Sequence, residues 1–173
     1  MNTHRLMGMS MALTALCTLA GCSESEPERA YDAPDALCGT RVDQSTVSQL
    51  LPPGKELDVQ EKNPVPSRKR CQVNVDGEAA LRVSQEWWKH GSGVADVAKG
   101  IPQLETATLT DDNEFMQTGT AAAKRARCDS PEHGDGTLFV TVQVYADGVD
   151  DPAAVKRLAT SYAHAVEGSL MCR

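Results

Sequence analysis

An α+β fold is what this 173-residue chain predicts: an antiparallel β-sheet packed by a short N-terminal helix and a long C-terminal helix, stapled by two disulfides. Three observations lead there. Residues 137–145 alternate in the period of a half-buried strand, residues 151–170 carry a helical apolar stripe, and Cys38, Cys71, Cys128 and Cys172 punctuate the same stretch. A long amphipathic helix must cover a sheet face, which selects a layered α+β arrangement.

The elements follow in order. Residues 43–51 predict a short helix: Asp43 or Ser45 caps it, Val47, Leu50 and Leu51 recur at helical spacing, and Pro52 and Pro53 end it. Residues 55–60 read as a short strand. The next stretch, EKNPVPSRKR, holds two prolines and four basic residues and reads as an exposed loop. Cys71, Val73 and Val75 then alternate with polar residues, and Asp76 with Gly77 separates them from Ala79, Leu81 and Val83. That pattern is a hairpin, because Asp-Gly suits a type I′ turn in which both central residues take positive φ. The second strand extends to Trp87 or Trp88 and sends the two indoles to opposite faces, one to the core and one to solvent or a cleft.

Residues 89–100 open with glycines and continue as a short helix through Val94, Val97 and Ala98, ending at Gly100. Residues 101–119 accommodate a short strand or two, with Asp111, Asp112 and Asn113 as a turn. Residues 120–128 are read as a strand, although their alanines favour helix. After a loop over 129–136 comes the best strand, with Leu138, Val140, Val142 and Val144 on one face and Phe139, Thr141, Gln143 and Tyr145 on the other. The closing helix has Asp151 as N-cap, Pro152 at its first position, and Val155, Leu158, Ala159, Tyr162, Val166 and Leu170 along one stripe. About five turns, roughly 28 Å, are expected.

The N-terminus carries an address. After Arg5, residues 6–20 form an apolar run too short to span a bilayer and of the right length for a signal-peptide core. Leu19, Ala20, Gly21 and Cys22 resemble the lipobox of bacterial lipoproteins, which implies cleavage before Cys22 and lipid on its thiol. Removal of 21 residues from 173 leaves 152. The expected organisation is a lipoprotein signal peptide over 1–21, a lipidated tether over 22–36 rich in acids, prolines and small residues, and one domain over 37–173. Anchoring through lipid on Cys22 places that domain at the extracytoplasmic face of the cell membrane.

Cysteine usage agrees with export. Four cysteines remain beyond Cys17 and Cys22, an even number that reads as two disulfides outside the cytosol. Three connectivities are open; pairing Cys38 with Cys71 and Cys128 with Cys172 closes two sequential loops and is favoured. No CxxC or CxxH spacing supports a zinc site, and no cofactor is implied. Without Arg5 the chain holds 16 basic against 24 acidic side chains, so phosphate backbones repel it and nucleic acid is not expected as a partner.

Catalytic signals are weak. GSG at residues 91–93 lacks the following Lys-Ser or Lys-Thr of a phosphate loop, no GxSxG surrounds a serine, and oxidised cysteines are not nucleophiles. His90, His133 and His164 fit no catalytic pattern. His133 shares a loop with Asp129, Glu132 and Asp135, for which a solvated acidic turn is a better reading than a cation site. A noncatalytic binding module is therefore expected, with Trp87, Trp88, Arg68 and Arg70 as ligand-binding residues and Lys124 to Arg127 as a second basic cluster. Its partner is an envelope lipid, a cell-wall fragment or another envelope protein.

The tether, Cys38 before a short helix, Cys71 opening a Val-rich hairpin, and the terminal SYAHAVEGSLMC together resemble small actinobacterial lipoproteins of unknown function. Those lipoproteins are similar to the extracellular sensor domains of some actinobacterial Ser/Thr kinases. The resemblance implies a disulfide-bonded α+β fold with a ligand cleft and supplies no catalytic residues.

Overall fold

A computed structural model describes residues 29–172. Cys22, its lipobox and the first part of the expected tether lie outside the described residues. A two-stranded ribbon, β1 (Ala36–Leu37) and β2 (Thr40–Arg41), leads into helix α1 (Gln44–Gln49). Three strands follow: β3 (Leu57–Val65), β4 (Arg68–Val75) and β5 (Glu78–Trp88). After the short helix α2 (Val94–Ala98) and a 3₁₀ turn at Pro102–Leu104 come β6 (Thr108–Leu109), β7 (Phe115–Gln117), β8 (Ala121–Ala126) and β9 (Thr137–Val144). Helix α3 (Pro152–Glu167) and a 3₁₀ turn at Leu170–Cys172 close the chain.

The seven strands β3 to β9 form one antiparallel sheet in the order β3, β4, β5, β9, β8, β7, β6. Its centre is the β5–β9 pair, which runs unbroken from Leu81 opposite Val144 to Trp88 opposite Thr137. Burial on both faces follows from that central place: every residue of β9 but Gln143 is buried.

Alternation divides the apolar residues between two cores. Val73, Leu81, Val83, Leu138, Val140, Val142 and Val144 face α3, whose Val155, Leu158, Ala159, Tyr162 and Val166 are almost fully buried against them. On the other face Phe139, Ala121 and Ala123 meet Val94, Val97, Ala98, Ile101 and Leu104. Burying a Leu, Val or Phe side chain stabilises by about 1.5–3 kcal/mol, so both layers contribute substantially.

Local chemistry matches these positions. Asp43 accepts from the Thr46 amide at 2.7 Å to cap α1, and Asp151 accepts from Ala154 at 2.9 Å to cap α3, with Pro152 at the first helical position. In the β4–β5 turn Asp76 and Gly77 take φ of 51° and 85°. The Asp76 carboxylate also accepts from the Lys55 and Glu56 amides, each at 2.9 Å, and these bonds hold its pKa below the usual carboxylate range. The two disulfides pair Cys38 with Cys71 and Cys128 with Cys172. The first ties the β1–β2 turn to β4 and the second ties the loop after β8 to the 3₁₀ turn that follows α3.

Three expectations change. Residues 61–70 are strand rather than loop, with only Pro66 and Ser67 between β3 and β4. The prolines are tolerated because β3 is an edge strand, and the register shifts between Lys62 and Val65 around Pro64. Residues 29–36, expected as tether, lie against the domain: Arg29 donates to Ser48 Oγ and, at 2.6 Å, to Leu51 O, while the Tyr31 hydroxyl donates to Pro52 O. These carbonyls follow the end of α1, where no helical partner is available to them. Leu170, expected on the α3 stripe, is 85% exposed, because the helix ends at Glu167 and a separate 3₁₀ turn carries Cys172 to Cys128. The 16 residues of α3 span about 24 Å, short of the expected length.

Candidate functional site

The face of the sheet opposite α3 is covered only in part. Helix α2 and the 3₁₀ turn at Pro102–Leu104 lie over β8 and β9, and no described helix covers the same face of β3 and β4 with Arg82 of β5. Strand alternation puts Arg68, Arg70, Gln72 and Asn74 of β4 on this open half. Register places them beside Glu86, Ser84 and Arg82 of β5.

These side chains form a chain of contacts. Arg68 pairs with Glu86 at 2.9 Å. Arg82 donates to Gln72 Oε1 at 3.0 Å and to the Tyr145 hydroxyl at 2.6 Å, with its guanidinium 4.8 Å from the centre of the Tyr145 ring. Gln72 donates to Asn74 at 2.7 Å, and Asn74 donates to Asp58 at 3.3 Å. Arg70 stands between Arg68 and Arg82 and makes no hydrogen bond or ion pair with another described residue, although the charge of Glu86 acts on it as well as on Arg68. Its burial, then repulsion from Arg82 and Arg68, lowers its pKa from the ordinary guanidinium value, although a guanidinium stays charged at neutral pH. The Nε atoms of Arg68, Arg70 and Arg82 are all buried without a partner.

The residues singled out from the sequence are placed as follows. Arg68, Trp87 and Trp88 line one depression of about 440 Å³, together with Ser67, Glu86 and Lys89. Arg70 lies two residues beyond Arg68 on the same face. The indoles do leave β5 on opposite faces, but both are half-buried: Trp87 packs on the core beneath α3 and Trp88 on the core beneath α2. Trp87 is further engaged by His133, stacked at 4.3 Å between ring centres, so one face of this indole is occupied. The second basic cluster does not join Arg68 and Arg70, because β5 and β9 separate β8 from β4. There Lys124 lies over the Phe115 ring at 5.9 Å and Arg127 pairs with Glu114 at 3.5 Å.

Arg82, Gln72 and Tyr145 were not among the residues singled out. The signal for Arg82 was present in the alternation of β5, where Leu81 and Val83 face the core, but counting through the turn conflicts with it. Counting back from the Asp76 and Gly77 turn sets Val75 opposite Glu78 and would set Cys71 opposite Arg82, on the core face. A one-residue register shift between Val73 and Asn74 instead sets Gln72 opposite Arg82. A slip of one residue changes which side chains meet across the strands, and here it sets Gln72 rather than Cys71 beside Arg82.

A second cavity, about 540 Å³, lies at the end of β8 against the loop after it and mixes Arg125 and Arg127 with Glu114, Asp129 and Asp135. Among the described residues no group of three His, Cys, Asp or Glu is arranged to hold a metal ion. His164 is exposed beside Glu167 at 3.6 Å, and His90 meets only the Asp135 carbonyl at 3.3 Å. No described helix is long and apolar enough to cross a membrane. No family model, no curated protein and no solved structure matches the chain.

Proposed function

We propose that this chain is a lipid-anchored, extracytoplasmic, noncatalytic binding module that holds an envelope ligand, a lipid or cell-wall fragment, on the open half of its sheet. The observation that carries the reading is Arg70, which among the described residues makes no hydrogen bond or ion pair and stands in a row of arginines on a face that no described helix covers, in a chain whose net charge is −7. The lipobox around Cys22 supplies the anchor, and two disulfides suit an oxidising compartment. Trp88 and the depression beside Arg68 give the ligand an apolar wall next to the charge.

Docking on another envelope protein is the competing role and calls for a contiguous apolar patch. Among the described residues the exposed large hydrophobic side chains are Val65 and Leu170, on different elements, which favours ligand capture. The test has two parts. Masses of the protein purified from its native membrane should show diacylglycerol on Cys22. Thermal-shift screening with envelope lipids and cell-wall fragments should raise the melting temperature, since a ligand that binds only the folded state stabilises it. An unlipidated Cys22 with uniformly flat responses would refute the reading.

A further inference from the structure

We infer that the group recognised on the open half of the sheet is an oxyanion, phosphate or carboxylate, gripped between the guanidinium groups of Arg70 and Arg82 with the Tyr145 hydroxyl as a third donor. The inference rests on the binding-module reading and names the chemistry of its ligand.

Charge is the first argument. Same-face positions along a strand are about 7 Å apart and adjacent strands about 4.8 Å apart, so Arg68, Arg70 and Arg82 share one small area. Glu86 pairs with Arg68 and its charge also acts on Arg70. Arg82 is held by the neutral oxygens of Gln72 and Tyr145, and Arg70 makes no hydrogen bond or ion pair among the described residues, so three guanidinium groups share one carboxylate and two positive charges are left uncompensated. Like charges on neighbouring strands repel, and one anion between them relieves the repulsion while filling the unused donors.

Donor geometry is the second. The guanidinium fork presents paired N–H groups that match the two oxygens of a carboxylate or phosphate. Arg82 is already oriented, since Tyr145 and Gln72 fix it from two sides and Gln72 is fixed in turn by Asn74. Because the Tyr145 oxygen accepts from Arg82, its own hydrogen is available to donate to a second acceptor. A cation would be repelled here, and a neutral glycan would leave the arginines as they are.

Isothermal titration of the full-length protein in neutral detergent at low ionic strength tests this, with pyrophosphate, citrate and uncharged chitotetraose as soluble probes. Flotation with phosphatidylcholine vesicles, with and without phosphatidylglycerol, separates a lipid headgroup from a free anion. At least one anionic probe should bind and be released by salt, Arg70→Gln should weaken it about tenfold or more, and Arg70→Lys should recover part of the loss. Tyr145→Phe should weaken it less. An unchanged melting temperature for ligand-free Arg70→Gln excludes misfolding as the cause. Anion binding equal in wild type and Arg70→Gln would overturn the inference. Binding of chitotetraose alone, indifferent to Arg70, would overturn it while leaving the binding module standing, and silence from every probe would overturn both.

Discussion

One face of one sheet has two halves that behave oppositely. Following a single register row from β4 to β8, Arg70 faces Ser84, Ser84 faces Thr141, and Thr141 faces Ala123. The next row runs Gln72, Arg82, Gln143 and Ala121. Over about 14 Å the surface therefore passes from long charged side chains to alanine. The short side chains of Ala121 and Ala123 beside Phe139 let α2 and Leu104 approach and build a second core. The arginines keep the other half in water. The border lies on β5 and β9, where Ser84 and Thr141 are each only 1% exposed and Gln143 donates to Gln103 at 3.1 Å to seal the edge of the cover. Once register has set these rows, side-chain volume and charge decide which half a helix covers.

Stability measurements can break this comparison. The largest effect is expected from the disulfides, whose cysteines all belong to the core beneath α3. Replacing Cys128 and Cys172 together by Ala, opening a loop with a sequence separation of 44, should lower the unfolding free energy by about 4 kcal/mol in urea titrations. In the covered half, Phe139→Ala should cost about 3–5 kcal/mol by the same measurement, since the ring is fully buried. A much smaller loss would mean that the second core contributes little and that the two halves differ only in appearance.

Acid should loosen the cover of α2. Asp96 accepts from Lys99 at 2.8 Å and from the Gly93 amide at 3.0 Å, and these bonds, the Lys99 contact foremost, hold its pKa below the ordinary value. A depressed folded-state pKa stabilises above the unfolded pKa and loses that contribution as pH falls through the folded value. Stability should therefore decline below about pH 4, and Asp96→Asn should flatten part of the decline. Parallel slopes in wild type and variant would show that Asp96 does not clamp this helix. The smallest effect belongs to the open half: Arg70→Ala should change stability by no more than about 0.5 kcal/mol. A loss of several kcal/mol would make Arg70 a structural residue and dissolve the contrast.

Much of the fold was legible because its signals are local. The Asp-Gly turn, the alternation in β9, the caps Asp43 and Asp151, and the stripe of α3 each depend on neighbours within a few residues. Residues 61–70 were misread because prolines and charges look alike in a loop and on an edge strand. The attachment of residues 29–36 was hidden because polar groups hold it, Arg29 and Tyr31 reaching backbone carbonyls whose need is not visible in composition. At the candidate site Arg68 and Arg70 could be named from their cluster. Arg82 lies on the polar side of the alternation through Leu81 and Val83, but its contact with Gln72 depends on the bulge, and Tyr145 arrives from 63 residues away.

By itself the sequence determined most of the element types, the layered α+β arrangement and the cysteines available for pairing, because periodicity, caps and turns act over short chain distances. Only the tertiary structure decided which half of the second sheet face α2 covers, that Gln72 meets Arg82, and that Arg70 makes no hydrogen bond or ion pair among the described residues. Those outcomes depend on register between distant strands, and a slip of one residue reverses them.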